Sequence, residues 1–226
     1  MNCVFFKNLG IVDFKVAWEL QEDLLQSIIQ QKRNKKETKS YLLFCQHPHV
    51  YTLGKSGDPK NLLLTKDGLK KNNADFYKIN RGGDITYHGP GQLVVYPVFD
   101  LDNFFTDIHK YLRFLEEVVI EVLLHFNLRG VRVAGATGVW LSVDGGQKKI
   151  CAMGVRASRW VTMHGLAFNV SVDLGYFKNI IPCGIENKGV TSLEGVLGRD
   201  VSMSSVEEVF KSAFKRVFDV SLKRYL

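Results

Sequence analysis

Three stretches of this chain hold residues whose types can do covalent chemistry. Cys183 sits in "IIPCGIEN", between Pro182 and Gly184, and so in a turn rather than inside a strand. A turn thiol becomes a nucleophile where a neighbour lowers its pKa and stays a passive turn residue where none does. Lys149 opens the apolar stretch of "KKICAMGVR". A lysine at a strand mouth is either solvated or, held near a cysteine, a cation that favours the thiolate and a carrier for its proton. His164, in "VTMHGLAFNV", is a further polar group beside a glycine.

The densest polar chemistry lies in "RGGDITYHGPGQLVVYP", residues 81–97. Gly82, Gly83, Gly89 and Gly91 allow backbone that other residues avoid and let a ligand come close to the main chain. Arg81, Asp84, Thr86, Tyr87 and His88 crowd the same stretch, directly before the apolar run Leu93-Val94-Val95-Tyr96. Neither GxxxxGK[ST] nor GxGxxG occurs there, so it is no phosphate loop. It reads either as a glycine-rich hairpin or as the donor-rich wall of a binding site. His47 and His49 have metal-ligand types, but no third ligand is near them in sequence, and they read as a turn.

These residues need elements to hold them. Ala17, Leu20, Leu24 and Ile28 recur at helical spacing and predict a helix over 14–31. Short apolar runs predict strands at 41–45, 50–54, 76–79 and 93–98. A long helix spans about 107–126, with Gly130 as its C-terminal stop. Strands follow at 131–133, 138–143, 149–155 (ended by Arg156) and 165–170, with a hairpin at Asp144-Gly145-Gly146. Ser205-Val206-Glu207-Glu208 reads as a capping box that opens a last helix. Strands dominate the middle without regular βαβ alternation. The expected class is therefore α+β, with helices packed on a mixed sheet in a single domain over 1–226.

Composition narrows the function. Apolar residues make up 46% and charged residues 23%, as in an ordinary globular protein. No 18-residue apolar run and no signal-peptide pattern is present, so a cytoplasmic protein without membrane attachment is expected. The net charge of +7 suits acidic partners. The basic run 31–36 lacks interleaved aromatics, so nucleic acid is not expected. Cys3, Cys45, Cys151 and Cys183 are scattered, with no CxxC pair, which speaks against disulfides and against a structural metal site.

RGGDITYHGPGQLVVYP, KKICAMGVR, HGLAFNV and PCG, in this order, resemble the lipoyl(octanoyl) transferase family, the octanoyltransferases of lipoate synthesis. The likeness runs from "FCQHPHVYTLGKSG" near residue 44 to "GVTSLEG" near residue 195, and the spacing from Lys149 to Cys183, 183 − 149 = 34, fits it. Phe168, where the family usually has leucine, is a mild departure. The resemblance implies a fold similar to the catalytic domain of biotin and lipoate protein ligases. It implies Cys183 as acyl-thioester nucleophile and Lys149 as the group that lowers its pKa and handles the proton. Arg81, Gly82, Gly83, Asp84, Ile85, Thr86, Tyr87 and His88 would form one wall of an acyl pocket. Ala152, Met153 and Gly154, with Gly165, Leu166 and Ala167, would form the others.

The implied donor is octanoyl-acyl carrier protein. The implied acceptors are lipoyl domains of 2-oxoacid dehydrogenases and the glycine cleavage H protein. Exchange of one thioester for another is nearly isoenergetic and amide formation is downhill, so no ATP, metal or other cofactor is expected. The small residues at 152, 154, 165 and 167 would leave room for an eight-carbon tail, and donors of the RGG segment could hold the thioester oxygen. Three rivals stand beside this reading. They are an ATP-dependent lipoate or biotin ligase on the same scaffold, a non-catalytic carrier-binding protein, and a cysteine hydrolase using Cys183 with His88 or His164.

Overall fold

A computed structural model describes residues 2–181 and 189–225. Cys183, the expected nucleophile, lies outside the described residues.

Strand β1 (Asn2–Ile11) leads into helix α1 (Phe14–Arg33). Asp13 starts that helix by accepting the N–H of Lys15, and Lys32 and Arg33 sit in its last turn, where cations suit the helix dipole. Strands β2 (Ser40–Gln46) and β3 (Val50–Leu53) follow, separated by the His47-Pro48-His49 turn. Helix α2 (Lys66–Lys71), β4 (Asp75–Lys78), β5 (Ile85–His88) and β6 (Gln92–Val98) come next. After α3 (Ile108–His125) the chain forms β7 (Val131–Val133), β8 (Ala136–Val143), β9 (Gly146–Ser158) and β10 (Val161–Asn169). It closes with α4 (Leu193–Leu197), α5 (Met203–Phe218) and β11 (Val220–Arg224).

Eight strands form one mixed sheet in the order β11-β1-β2-β6-β10-β9-β8-β7, and β4-β3-β5 form a second, three-stranded sheet. The α+β expectation holds, with that second sheet as an addition. Helices α3 and α5 cover one face of the large sheet through Leu115, Val119, Phe210 and Phe214, which pack on Phe44, Leu93 and Phe168. Helix α1 covers part of the other face through Leu25 and Ile28, against Leu43, Val98 and Met163. The rest of that face is left for the small sheet, and the site lies between the two.

Several local expectations are corrected. The stretch 81–97 is not one hairpin: β5 pairs with β3 and β6 with β2 and β10, so Gly89-Pro90-Gly91 carries the chain from one sheet to the other. Helix α3 stops before Gly130. Asn127 takes the left-handed conformation (φ 59°), and Asn127 and Leu128 donate to Leu124 and Leu123 in the pattern of a Schellman motif. Gly130 instead packs where a Cβ would meet Leu123 at 2.7 Å. Helix α5 opens at Met203, not at a Ser205 box, and Ser205 Oγ donates to the Ser202 carbonyl. Strand β9 runs past Arg156 to Ser158, where Arg159 and Trp160 turn it back, both in the left-handed region. Between β8 and β9, Asp144 (φ 51°) and Gly145 (φ 73°) form the expected hairpin turn.

Candidate active site

A cavity of about 490 Å³ lies between the large sheet and the loop that precedes β5. Val94, Tyr96, Ala152, Gly154, Ala167 and Asn169 contribute from the large sheet, and Gly82, Gly83, Thr86 and His88 from the opposite side. Every expected wall residue lines it except Tyr87. Alternation along β5 places Tyr87 in the aromatic core of the small sheet, stacked on Tyr176 at 4.9 Å with its hydroxyl 2.7 Å from His49 Nδ1.

The RGG loop is braced rather than open. Arg81 is almost fully buried; its Nη2 donates to the carbonyl of Thr52 (2.8 Å) and to Thr52 Oγ1 (3.0 Å), and its Nη1 to the carbonyl of Gly82 (3.0 Å). Gly82 donates its N–H to the Val155 carbonyl at 2.9 Å. That N–H therefore cannot hold a thioester oxygen, which corrects part of the expected donor set. Asp84 accepts from the N–H of Ile85 (2.7 Å) and from Asn61 Nδ2 (2.7 Å), so it acts as a loop anchor.

Two of the small wall residues serve backbone approach rather than tail space. A Cβ on Gly154 would sit 2.6 Å from the Gly82 carbonyl oxygen, and one on Gly165 would sit 2.1 Å from that of Val95. Ala152 and Ala167 face each other across β9 and β10 and do leave room.

Lys149 lines the cavity from β9, paired with Trp140 of β8, and its Nζ lies 4.6 Å from the centre of that indole ring. The contact is a cation–π interaction that holds the amine in place. The Lys149 N–H donates to the Gly189 carbonyl (2.9 Å), and its carbonyl accepts from the N–H of Thr191 (3.0 Å). The chain just beyond the Cys183 segment is thus stitched to the strand that carries Lys149. Before that segment, Ile181 donates its N–H to the Asn61 carbonyl at 2.8 Å.

The histidines around the cavity are neutral. Burial pushes His88 and His164 down to about 3 and His47 to about 4. His47 is fixed by the Val12 carbonyl at Nδ1 (2.8 Å) and by the Tyr96 hydroxyl at Nε2 (2.7 Å). His164 has left-handed backbone (φ 59°), and its buried Nε2 has no hydrogen-bond partner among the described residues. Burial also pushes the thiols of Cys45 and Cys151 well up, which leaves both protonated, and Cys3 lies outside the cavity. Among the described residues no cluster of His, Cys, Asp or Glu could hold a metal ion, and no helix is long and apolar enough to cross a membrane.

Motif reading missed Thr52, Gln92, Asn169, Thr191 and Trp140. The signal was present in two of them: Gln92 and Asn169 are polar residues at strand ends directly beside apolar runs, where a buried amide needs partners.

The fold is similar to that of the catalytic domains of lipoate and biotin protein ligases. The model of the lipoyl protein ligase A/B catalytic domain matches residues 13–215. An archaeal bipartite lipoate protein ligase from Thermoplasma acidophilum superposes with a TM-score of 0.72 at 17% identity, over 99% of this chain and 86% of that one. Biotin protein ligase from Aquifex aeolicus, in complex with biotin and ATP, superposes with 0.53 at 12% identity, over 97% and 71%. These likenesses speak for the fold alone. Sequence goes further. The octanoyltransferase of Christiangramia forsetii is 57% identical over 96% of each chain, and that of Flavobacterium johnsoniae 63% identical over 85% of this chain and 86% of its own. The chain belongs to the octanoyltransferase family.

Proposed function

We propose that this chain, as one catalytic domain in the cytoplasm, carries octanoyl groups from octanoyl-acyl carrier protein to a lysine amine on lipoyl domains, through a thioester on Cys183. The thiolate of Cys183 attacks the octanoyl carbonyl carbon, a new C–S bond forms, and the bond to the carrier sulfur breaks. The proton lost by Cys183 passes through Lys149 to the departing carrier thiolate. In the second step the acceptor amine attacks the same carbon, the amide C–N bond forms, the C–S bond to Cys183 breaks, and the departing Cys183 thiolate takes the proton lost by the amine. No ATP is consumed.

The observation that carries this reading is the position of Lys149. It stands at the wall of a predominantly apolar cavity, with its own backbone bonded to Gly189 and Thr191. Thr191 follows Cys183 by 191 − 183 = 8 residues. Burying an acyl tail in such a cavity is worth about 0.8 kcal/mol per methylene, enough to sense chain length. Two rivals lose support. A hydrolase would need a histidine base, and His88 and His164 are poor bases at neutral pH because burial lowers both to about 3. The lipoate and biotin protein ligases that superpose on this chain share only its fold, whereas the octanoyltransferases named above share more than half their residues.

The deciding experiment is intact-mass analysis after incubation with octanoyl-acyl carrier protein, with free octanoate plus ATP as the control. We expect one added octanoyl group from the carrier, none from the free acid, and none on Cys183→Ala. Transfer of octanoyl from octanoate plus ATP to an added lipoyl domain, with no octanoyl mass on the enzyme, would instead establish the ligase.

A further inference from the structure

Asn169 ends β10 on the cavity wall, almost fully buried and directly opposite Gln92 of β6. Its Nδ2 donates to the Thr191 carbonyl at 2.9 Å, and its Oδ1 accepts from Gln92 Nε2 at 2.9 Å. Both amides have their orientation forced, because Thr191 and Tyr87 offer carbonyl oxygens, which only accept. Gln92 Oε1 must then accept from His88 Nδ1 (2.8 Å), which leaves His88 Nε2 as the acceptor facing Thr52 Oγ1 (3.4 Å). Thr52 Oγ1 takes its own bond from Arg81 (3.0 Å). A single directed chain of side chains therefore runs from the RGG loop through Thr52, His88, Gln92 and Asn169 to Thr191, whose N–H bonds Lys149.

We infer that Asn169 is a positioning residue for acyl transfer: its amide clamps Thr191 beside Lys149 and so sets where the chain leaves the Cys183 segment relative to the lysine amine. The inference rests on the reading of Cys183 and Lys149 as the reacting pair. Asn169 acts through Thr191, the residue its amide holds. Reacting atoms misplaced by about an ångström can cost on the order of a hundredfold in rate, so a clamp of this kind has kinetic weight.

The test uses the full chain and single-turnover loading from octanoyl-acyl carrier protein, quenched and read by intact mass. For Asn169→Ala we expect every molecule to load, with a rate constant lowered roughly tenfold or more and a KM for the carrier within about twofold of wild type. A purely structural role would lower the fraction that loads and leave the rate constant alone; that result overturns the inference, as does a rate within about twofold of wild type. If Asn169→Ala fails to fold, Asn169→Asp replaces it. A protonated carboxyl keeps a donor for Thr191 and an ionised one loses it, so the variant's rate relative to wild type should rise as pH falls. A ratio independent of pH overturns the inference. The other titratable groups lining the cavity, Lys149, His88, His164, Arg81, Asp84 and Tyr96, are common to both proteins and cancel in the ratio. Failure of the underlying reading looks different: wild type that gains no octanoyl mass, or Cys183→Ala that still does.

Discussion

Gly82 donates its N–H to the carbonyl of Val155 at 2.9 Å, and this bond lays the glycine loop along the part of β9 that β8 does not cover. Gly154, one residue before Val155, has no room for a side chain there because the Gly82 carbonyl sits where its Cβ would be. Gly154→Ala should therefore lift the loop. We expect octanoyl loading to fall by roughly tenfold or more, with a stability loss of about 1–3 kcal/mol in denaturant titration. Gly165→Ala, which presses on the backbone of the central strand β6, should cost more stability than Gly154→Ala in the same titration.

Lys149 has two tasks in the proposed reaction, one electrostatic and one as proton carrier. Lys149→Ala should slow loading by on the order of 10²–10⁴. Lys149→Arg keeps the positive charge but holds its proton at any working pH. If transfer of the proton to the carrier thiolate limits the step, stopped-flow loading of Lys149→Arg will be no faster than that of Lys149→Ala. A rate close to wild type would assign Lys149 to electrostatics alone.

His47, His88 and His164 should make the protein acid-sensitive. Their folded-state values, about 4, 3 and 3, lie below the ordinary 6.5. Below pH 6.5 the unfolded chain binds protons that the folded one refuses, so stability falls as pH drops from 6.5 toward those values. The slope is about 1.4 kcal/mol per pH unit for each histidine. Urea titrations between pH 7.5 and 5 check this. Replacing one of the three, as in His47→Gln, should remove one proton's worth of slope, and an unchanged slope would contradict the assignment for that residue.

The excess of basic over acidic residues predicts faster encounter with an acidic carrier. The association rate constant for octanoyl-acyl carrier protein should fall as salt is raised from about 0.01 to 0.15 M, where the Debye length shrinks from about 30 to 8 Å. Rates flat across that range would remove the steering role.

Much of the site was legible because its residues are clustered in sequence. The RGG stretch, "KKICAMGVR" and "HGLAFNV" all reach one cavity, and α1, α3 and most strands from β2 to β10 followed from periodicity and from turns such as Asp144-Gly145, whereas β1, β5 and β11 and the short helices α2 and α4 were not read from the sequence. Tyr87 escaped because alternation on β5 sends it to the opposite face, a matter of register that composition cannot supply. Gly154 and Gly165 looked like tail space; only the neighbouring strands and loop reveal that backbone fills it.

The order of residues by itself determined the candidate reacting types, the class of fold and the family, since each is written in local patterns and in motifs of fixed spacing. What tertiary structure alone decided is how distant polar groups are satisfied. Arg81, Thr52, His88, Gln92, Asn169 and Thr191 come from separate strands and loops and meet because a buried polar atom is costly without a partner. That requirement acts through space, across strands that no local pattern in the chain brings together.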